Sequence, residues 1–202
     1  ALDVNAGFYS NYTLPLYDFN YSIAPRVRVN DKLSFIYNYN YNFKNDYGFE
    51  AVINPDSIIF GNRAVKTYVN TLTGSYIFNN KMSLSLRGRH YWSRVSYSRH
   101  FDLQEDGELV LNENYNQNNT QNYNAFNIDL IYRWRFAPGS DMFFVWKNTI
   151  ETFSRYYEVV QTRDFSSPFA NNILNTLESN PQNIFSLKIV YYLDYKIFAR
   201  KR

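Results

Sequence analysis

Apolar and polar residues alternate with a period of two along most of this chain, and the apolar half is rich in aromatic rings. The run Leu33-Ser34-Phe35-Ile36-Tyr37-Asn38-Tyr39-Asn40-Tyr41-Asn42-Phe43 is the clearest case. On an extended strand, successive side chains leave opposite faces. Leu33, Phe35, Tyr37, Tyr39, Tyr41 and Phe43 therefore share an oily face, and Ser34, Asn38, Asn40 and Asn42 a wet one. Soluble β-sandwiches and lipocalin-like barrels also alternate, but seldom over such long strands with so many rings. A membrane-spanning barrel requires the pattern, with lipid outside and a polar lumen inside.

Turn chemistry divides the chain into hairpins. Asn30-Asp31, Asn79-Asn80 and Ala137-Pro138-Gly139-Ser140-Asp141 are short connections. Asn and Asp tolerate positive φ, Pro presets φ and Gly relieves strain. The other connections are expected to be long and polar: Asn45 to Arg63, Asp102 to Asn122 and Gln161 to Pro181. Eight strands are expected, near Asp3–Ser10, Leu16–Val29, Lys32–Lys44, Val65–Phe78, Lys81–His100, Tyr123–Phe136, Met142–Val159 and Asn183–Tyr195. Most exceed the roughly 9–11 residues that a tilted strand needs to cross a bilayer. Pro25, inside the second strand, removes a ladder donor and suggests a bulge or a weakly paired site. Lipid-facing aromatics are expected at Phe35, Tyr37, Tyr39, Tyr76, Phe78, Trp92, Phe126, Tyr132, Trp134, Phe136, Phe185, Tyr191 and Tyr195. The predicted fold is an all-β, transmembrane, antiparallel up-and-down barrel. Its short turns would be periplasmic and its long loops extracellular.

Bulk composition agrees and narrows the function. Aromatics are 20% of the 202 residues, and there is no cysteine to build a disulfide or thiolate metal site. Mean hydropathy is −0.48, and no apolar run approaches a membrane helix. Lipid-facing and lumen-facing residues cancel in such averages, so a barrel is not excluded. A net charge of +3 gives no support to nucleic-acid binding.

Three stretches, Tyr76 to Tyr97, Asn124 to Asn148 and Phe185 to Tyr195, with Pro25 to Leu33, carry a further signal. Together they resemble the C-terminal barrel domain, of unknown function, in Gram-negative outer-membrane proteins with an N-terminal carbohydrate-binding-like sandwich. The resemblance implies that residues 1–202 are a C-terminal fragment of a longer chain and that further strands precede them. It assigns no catalytic residue, although some members are loosely labelled hydrolases. The aromatic last strand is the kind that barrel-insertion machinery engages. Residues 196–202 would form a basic periplasmic tail.

The polar face carries the candidate site. Arg26, Arg28, Arg87, Arg89, Arg133 and Arg135 should form a basic belt near the periplasmic mouth, with Lys32, Lys81 and Lys188 adding charge. Asp129, Glu151 and Asp194 are the inward carboxylates. Such a surplus would repel strongly in a narrow, dry lumen, which favours the arc of a wider, water-filled barrel. The belt reads either as an anion-attracting constriction or as a salt-bridge network holding neighbouring parts.

Other motifs are sparse. His90 and His100 are too far apart to share a metal. Glu105-Asp106-Gly107-Glu108 reads as the turn of an outer hairpin, with arms near Phe101–Gln104 and Leu109–Asn112. Calcium there lacks EF-hand spacing. No phosphate loop or nucleophile elbow appears, and no cofactor is expected. Expected partners are outer-membrane lipid, other envelope proteins and a glycan or small solute. Three functions fit: a non-enzymatic barrel that anchors a carbohydrate-binding-like domain or passes solutes, a subunit of an envelope complex, and a hydrolase whose active site lies outside this segment.

Overall fold

The computed structural model describes residues 1–11, 16–54, 57–117, 119–155, 173 and 176–193. They form one antiparallel sheet of nine strands: β1 (Leu2–Asn11), β2 (Leu16–Arg28), β3 (Leu33–Asn54), β4 (Ser57–Asn79), β5 (Met82–Leu103), β6 (Leu109–Leu111), β7 (Gln121–Ala137), β8 (Ser140–Arg155) and β9 (Gln182–Val190). The long strands run β1-β2-β3-β4-β5-β7-β8-β9, each beside its neighbour in sequence. The expected eight are all present. The ninth, β6, is the second arm of the outer hairpin and pairs Leu109 with Leu103 and Leu111 with Phe101. Among the described residues the sheet is open: β1 and β9 are each paired along one edge only. The described strands form a meander that does not close on itself.

The short turns fall where the turn residues place them, by a different device from the one expected. Among the described residues no non-glycine adopts positive φ. Instead the side chain of Asn30 accepts hydrogen bonds from the Lys32 and Leu33 amides at 2.8 and 2.9 Å. Asn79 does the same for Lys81 and Met82 at 2.8 and 3.0 Å. A side-chain oxygen thus replaces the missing ladder partner at each hairpin. Gly139 does use positive φ (70°). Pro25 introduces no bulge: the β2–β3 register is unbroken across it, although the pairing skips Ala24 and Pro25.

The described part of the segment from Asn45 to Arg63, expected as a loop, is strand. β3 continues to Asn54 and β4 resumes at Ser57, with Asp46 opposite Arg63 and Gly48 opposite Gly61. Its charged residues Asp46 and Arg63 satisfy each other across the two strands, so they need no loop. The expected strand residues Tyr156–Val159, with Asp194, Tyr195 and the 196–202 tail, lie outside the described residues.

Cross-strand partners share a face, so the register sorts the side chains. One continuous row runs Val27–Phe35–Gly74–Leu86–Leu130–Trp146–Phe185. The next, on the opposite face, runs Arg26–Ile36–Thr73–Arg87–Asp129–Lys147–Ile184. The described aromatics named above that are paired in register lie on the first face, and Tyr191, beyond the end of β9, stacks on Phe136. Among the described residues no second sheet covers either face. Among the described residues, the only buried hydrophobics are Ile59, Tyr115, Ala125 and Ile150.

Candidate functional site

The polar face gathers the six arginines, but not as a single ring. Arg26 and Arg87 share one cross-strand row, Arg89 lies one row further from the short turns, and Arg133 and Arg135 lie nearest them. Four of the six are ion-paired. Arg26 bonds Asp3 at 2.9 Å, Arg28 bonds Asp31 at 3.0 Å, and Asp141 receives both Arg133 (3.0 Å) and Arg135 (3.4 Å). These pairs tie β1 to β2, and β7 to β8, beside the short turns. They are half-exposed, so each adds little to stability.

Arg87 and Arg89 differ. Among the described residues, neither has a carboxylate within ion-pair distance. Asp129 faces Arg87 in register and is flanked on its other side by Lys147. The Arg89 guanidinium lies 5.9 Å from the Tyr91 ring centre. Both arginines line a shallow groove of about 460 Å³ with Asn38, Asn40, Thr71 and Thr73.

A second polar cluster, which the sequence reading missed, sits beyond the aromatic rows on the extended ends of β3–β5. Glu50 is the bulged residue between Phe49 and Ala51, and its side chain is fully buried. One carboxylate oxygen meets His100 Nδ1 at 2.7 Å, and the other accepts from Asn119 Nδ2 at 3.1 Å. Asn119 also donates to the Tyr115 hydroxyl at 2.7 Å, and the Tyr115 ring packs edge-on to His100. Next to it Asp46 takes both Arg63 (2.5 and 3.0 Å) and Lys44 (2.8 Å). Two glycines make the room. A Cβ on Gly61 would lie 2.4 Å from the Tyr97 ring and 2.7 Å from Glu50 Oε2, and one on Gly48 would strike the Arg63 guanidinium at 2.6 Å.

Burial pushes the Asp46 carboxyl up, but its bonds to Arg63 and Lys44 outweigh that and hold it below the ordinary value of 3.8. Its stabilisation is therefore full above that unfolded-state value and is lost as pH falls through the lowered folded one. Asp46→Asn is expected to be less stable than wild type at pH 7, with the gap closing under acid. Urea midpoints at pH 7 and pH 3 check this, and a gap of equal size at both would contradict it.

Elsewhere, His90 lies on the apolar face, paired in register with Asn70 and Phe126, and is buried. Gly107 turns the outer hairpin at φ 87°, with the Gln104 amide bonded to the Glu108 carbonyl at 2.9 Å. Asp102 accepts from Asn112 at 2.9 Å. No cluster of metal-ligating side chains occurs among the described residues.

No curated protein and no solved structure matches this chain. A family model does match, over all of residues 1–202, and it is described as Domain of unknown function (DUF5916). The match covers the whole arginine-bearing sheet together with the Glu50 cluster, and the chain belongs to that family.

Proposed function

We propose that this chain is the membrane-embedded wall of an outer-membrane β-barrel in a Gram-negative envelope, non-enzymatic, serving to anchor a carbohydrate-binding-like domain or to pass solutes. One observation carries the reading. The sheet is a single layer, and among the described residues no second sheet packs on its ring-bearing face, which buries His90, Asn124, Asn148 and Ile150 but is open along several large apolar side chains. A water-soluble domain packs such a face against a second layer. Leu72 (49% exposed), Leu86 (42%) and Trp134 (41%) stand open on it. Leaving a large apolar side chain in water forgoes about 1.5–3 kcal/mol. Hydrocarbon removes that cost.

Two features of the apolar face support lipid as its solvent. Rings cluster at both ends: Tyr41–Tyr68–Trp92 at one (centroids 5.0 and 4.8 Å apart), Tyr76–Phe78 and Trp134–Phe136–Tyr191 at the other. From Tyr68 to Tyr76 the strand rises about 27 Å, at ~3.4 Å per residue. A tilt of about 40° reduces this to about 20 Å, close to the apolar band between barrel girdles. Several polar atoms on this face pair locally, which suits hydrocarbon. Tyr37 donates to Asn70 at 2.5 Å, Trp92 Nε1 to Asn122 at 2.6 Å and Trp146 Nε1 to Asn183 at 2.9 Å.

In this reading the sheet is the C-terminal arc of a wider barrel, with short turns periplasmic and long connections outside. The two free edges expose Val4 (63%), Phe8 (70%), Phe185 (65%) and Leu187 (60%), as strands awaiting neighbours would. The test is extraction. The full-length protein is expected to sediment with outer membranes after an alkaline wash and to precipitate when detergent is withdrawn. A monodisperse species in plain buffer would refute the proposal.

A further inference from the structure

We propose that the groove beneath Arg87 and Arg89 is a recognition site for a phosphate-bearing solute on the lumen wall. The inference rests on the barrel reading, which makes this face the one that water and solutes reach. The belt arginines divide into two sets. Arg26, Arg28, Arg133 and Arg135 each have a carboxylate at 2.9–3.4 Å, and these pairs account for them as staples between strands and turns. Arg87 and Arg89 have no such partner among the described residues and so are not explained that way.

Their surroundings suit an oxyanion. The two stand on one strand and one face, about 6.7 Å apart at the Cα atoms by strand geometry. Two guanidinium forks at that spacing can grip neighbouring oxygens of one phosphate or of adjacent phosphates. Thr73 lies opposite Arg87, and Thr71 lies opposite Arg89 and Asn38. Hydroxyls and amides supply neutral donors without adding charge. Asp129 is the nearby carboxylate in register, and Lys147 on its far side offsets it. The local balance stays positive. The groove is open to one side and holds about 460 Å³, room for a small phosphorylated solute.

Two other occupants are conceivable on charge alone: a carboxylate from another part of the full-length chain, or an inorganic anion of any kind. Phosphate is favoured because paired forks with hydroxyl donors match several oxygens at once.

The test uses the full-length protein in detergent, titrated calorimetrically with inorganic pyrophosphate at low ionic strength, with sulfate as comparison. Wild type is expected to bind pyrophosphate more tightly than sulfate. Arg87→Ala/Arg89→Ala should bind on the order of a hundredfold more weakly, about tenfold per arginine. Arg87→Lys/Arg89→Lys keeps the charge and guards against misfolding, and it should retain binding but lose the preference over sulfate. Arg28→Ala, a paired arginine at the turn, should bind like wild type. No pyrophosphate binding by a folded wild type overturns the site, as does equal binding by the double alanine variant. If the double variant also loses stability while wild type fails to bind, an internal carboxylate fills the groove. A protein that needs no amphiphile would instead refute the barrel reading, so the two failures are distinct.

Discussion

Leu86→Arg is expected to destabilise the protein by about 2–4 kcal/mol when it is folded in phospholipid bilayers, the cost of an arginine near the midplane of a barrel's lipid face. The same substitution at an exposed site in water changes stability by about 0.5 kcal/mol or less. Leu86 decides between the two solvents because it is already 42% exposed and supports no core. It pairs with Gly74 on one side and Leu130 on the other, between the two clusters of rings. No other loss is built into the change. Ser85→Arg is the control. It sits one residue away on the opposite face, between Ser75 and Ile131, and should be close to neutral in the same vesicles. Urea titration of refolded protein, followed by tryptophan fluorescence, gives both values. If the two substitutions cost the same, the face assignment fails. If Leu86→Arg is harmless, lipid does not touch this surface.

The faces were legible because alternation is a local signal. Each of Leu33 to Phe43 declares its side through its neighbours, and the observed β3–β4 register keeps every one of them there. The short turns were legible for a similar reason: at two of them an asparagine acts on amides two and three residues away, and at the third Gly139 takes positive φ. The ends of β3 and β4 were misread because polar residues there suggested a loop. The signal was present, since Tyr47 and Phe49 continue the apolar register of Phe43 while Asp46 and Gly48 take the other side. In the proposed barrel, a strand beyond the girdles no longer needs an oily face, so composition changes while geometry does not. The ion pairs were legible only as a surplus of charge. Which arginine meets which carboxylate depends on register, and Arg87 faces Asp129 without touching it for reasons no spacing rule contains. The contact of Glu50 with His100, fifty positions along the chain, had no local trace except two glycines that turn out to face each other.

Glu50→Ala should loosen Tyr115 and Asn119 from the sheet at a local cost of about 1–3 kcal/mol, the penalty for leaving buried partners unsatisfied. The carboxylate is fully buried and holds two groups from distant parts of the chain, His100 on β5 and Asn119 in the segment leading to β7. Removing it orphans the Asn119 amide on that side. Among the described residues Asn119 then keeps only the Tyr115 hydroxyl, and Tyr115 keeps its packing on His100. The strands themselves stay paired, because the ladder on either side of the bulge does not use the Glu50 side chain. The expected readout is therefore regional. Amide exchange should accelerate at Tyr115 and Thr120 by about tenfold or more, as a 1.4 kcal/mol loss implies, while Leu84 and Leu130 are unaffected. Gly61→Val reaches the same knot by steric means, since its side chain must displace the Tyr97 ring or Glu50 Oε2. Its exchange pattern should match that of Glu50→Ala. Combining Glu50→Ala with Asn119→Ala should cost less than the sum of the two, because both remove one shared hydrogen bond. Additive costs would mean that the carboxylate and the amide act on different parts of the structure, and the knot would not be what fastens this segment.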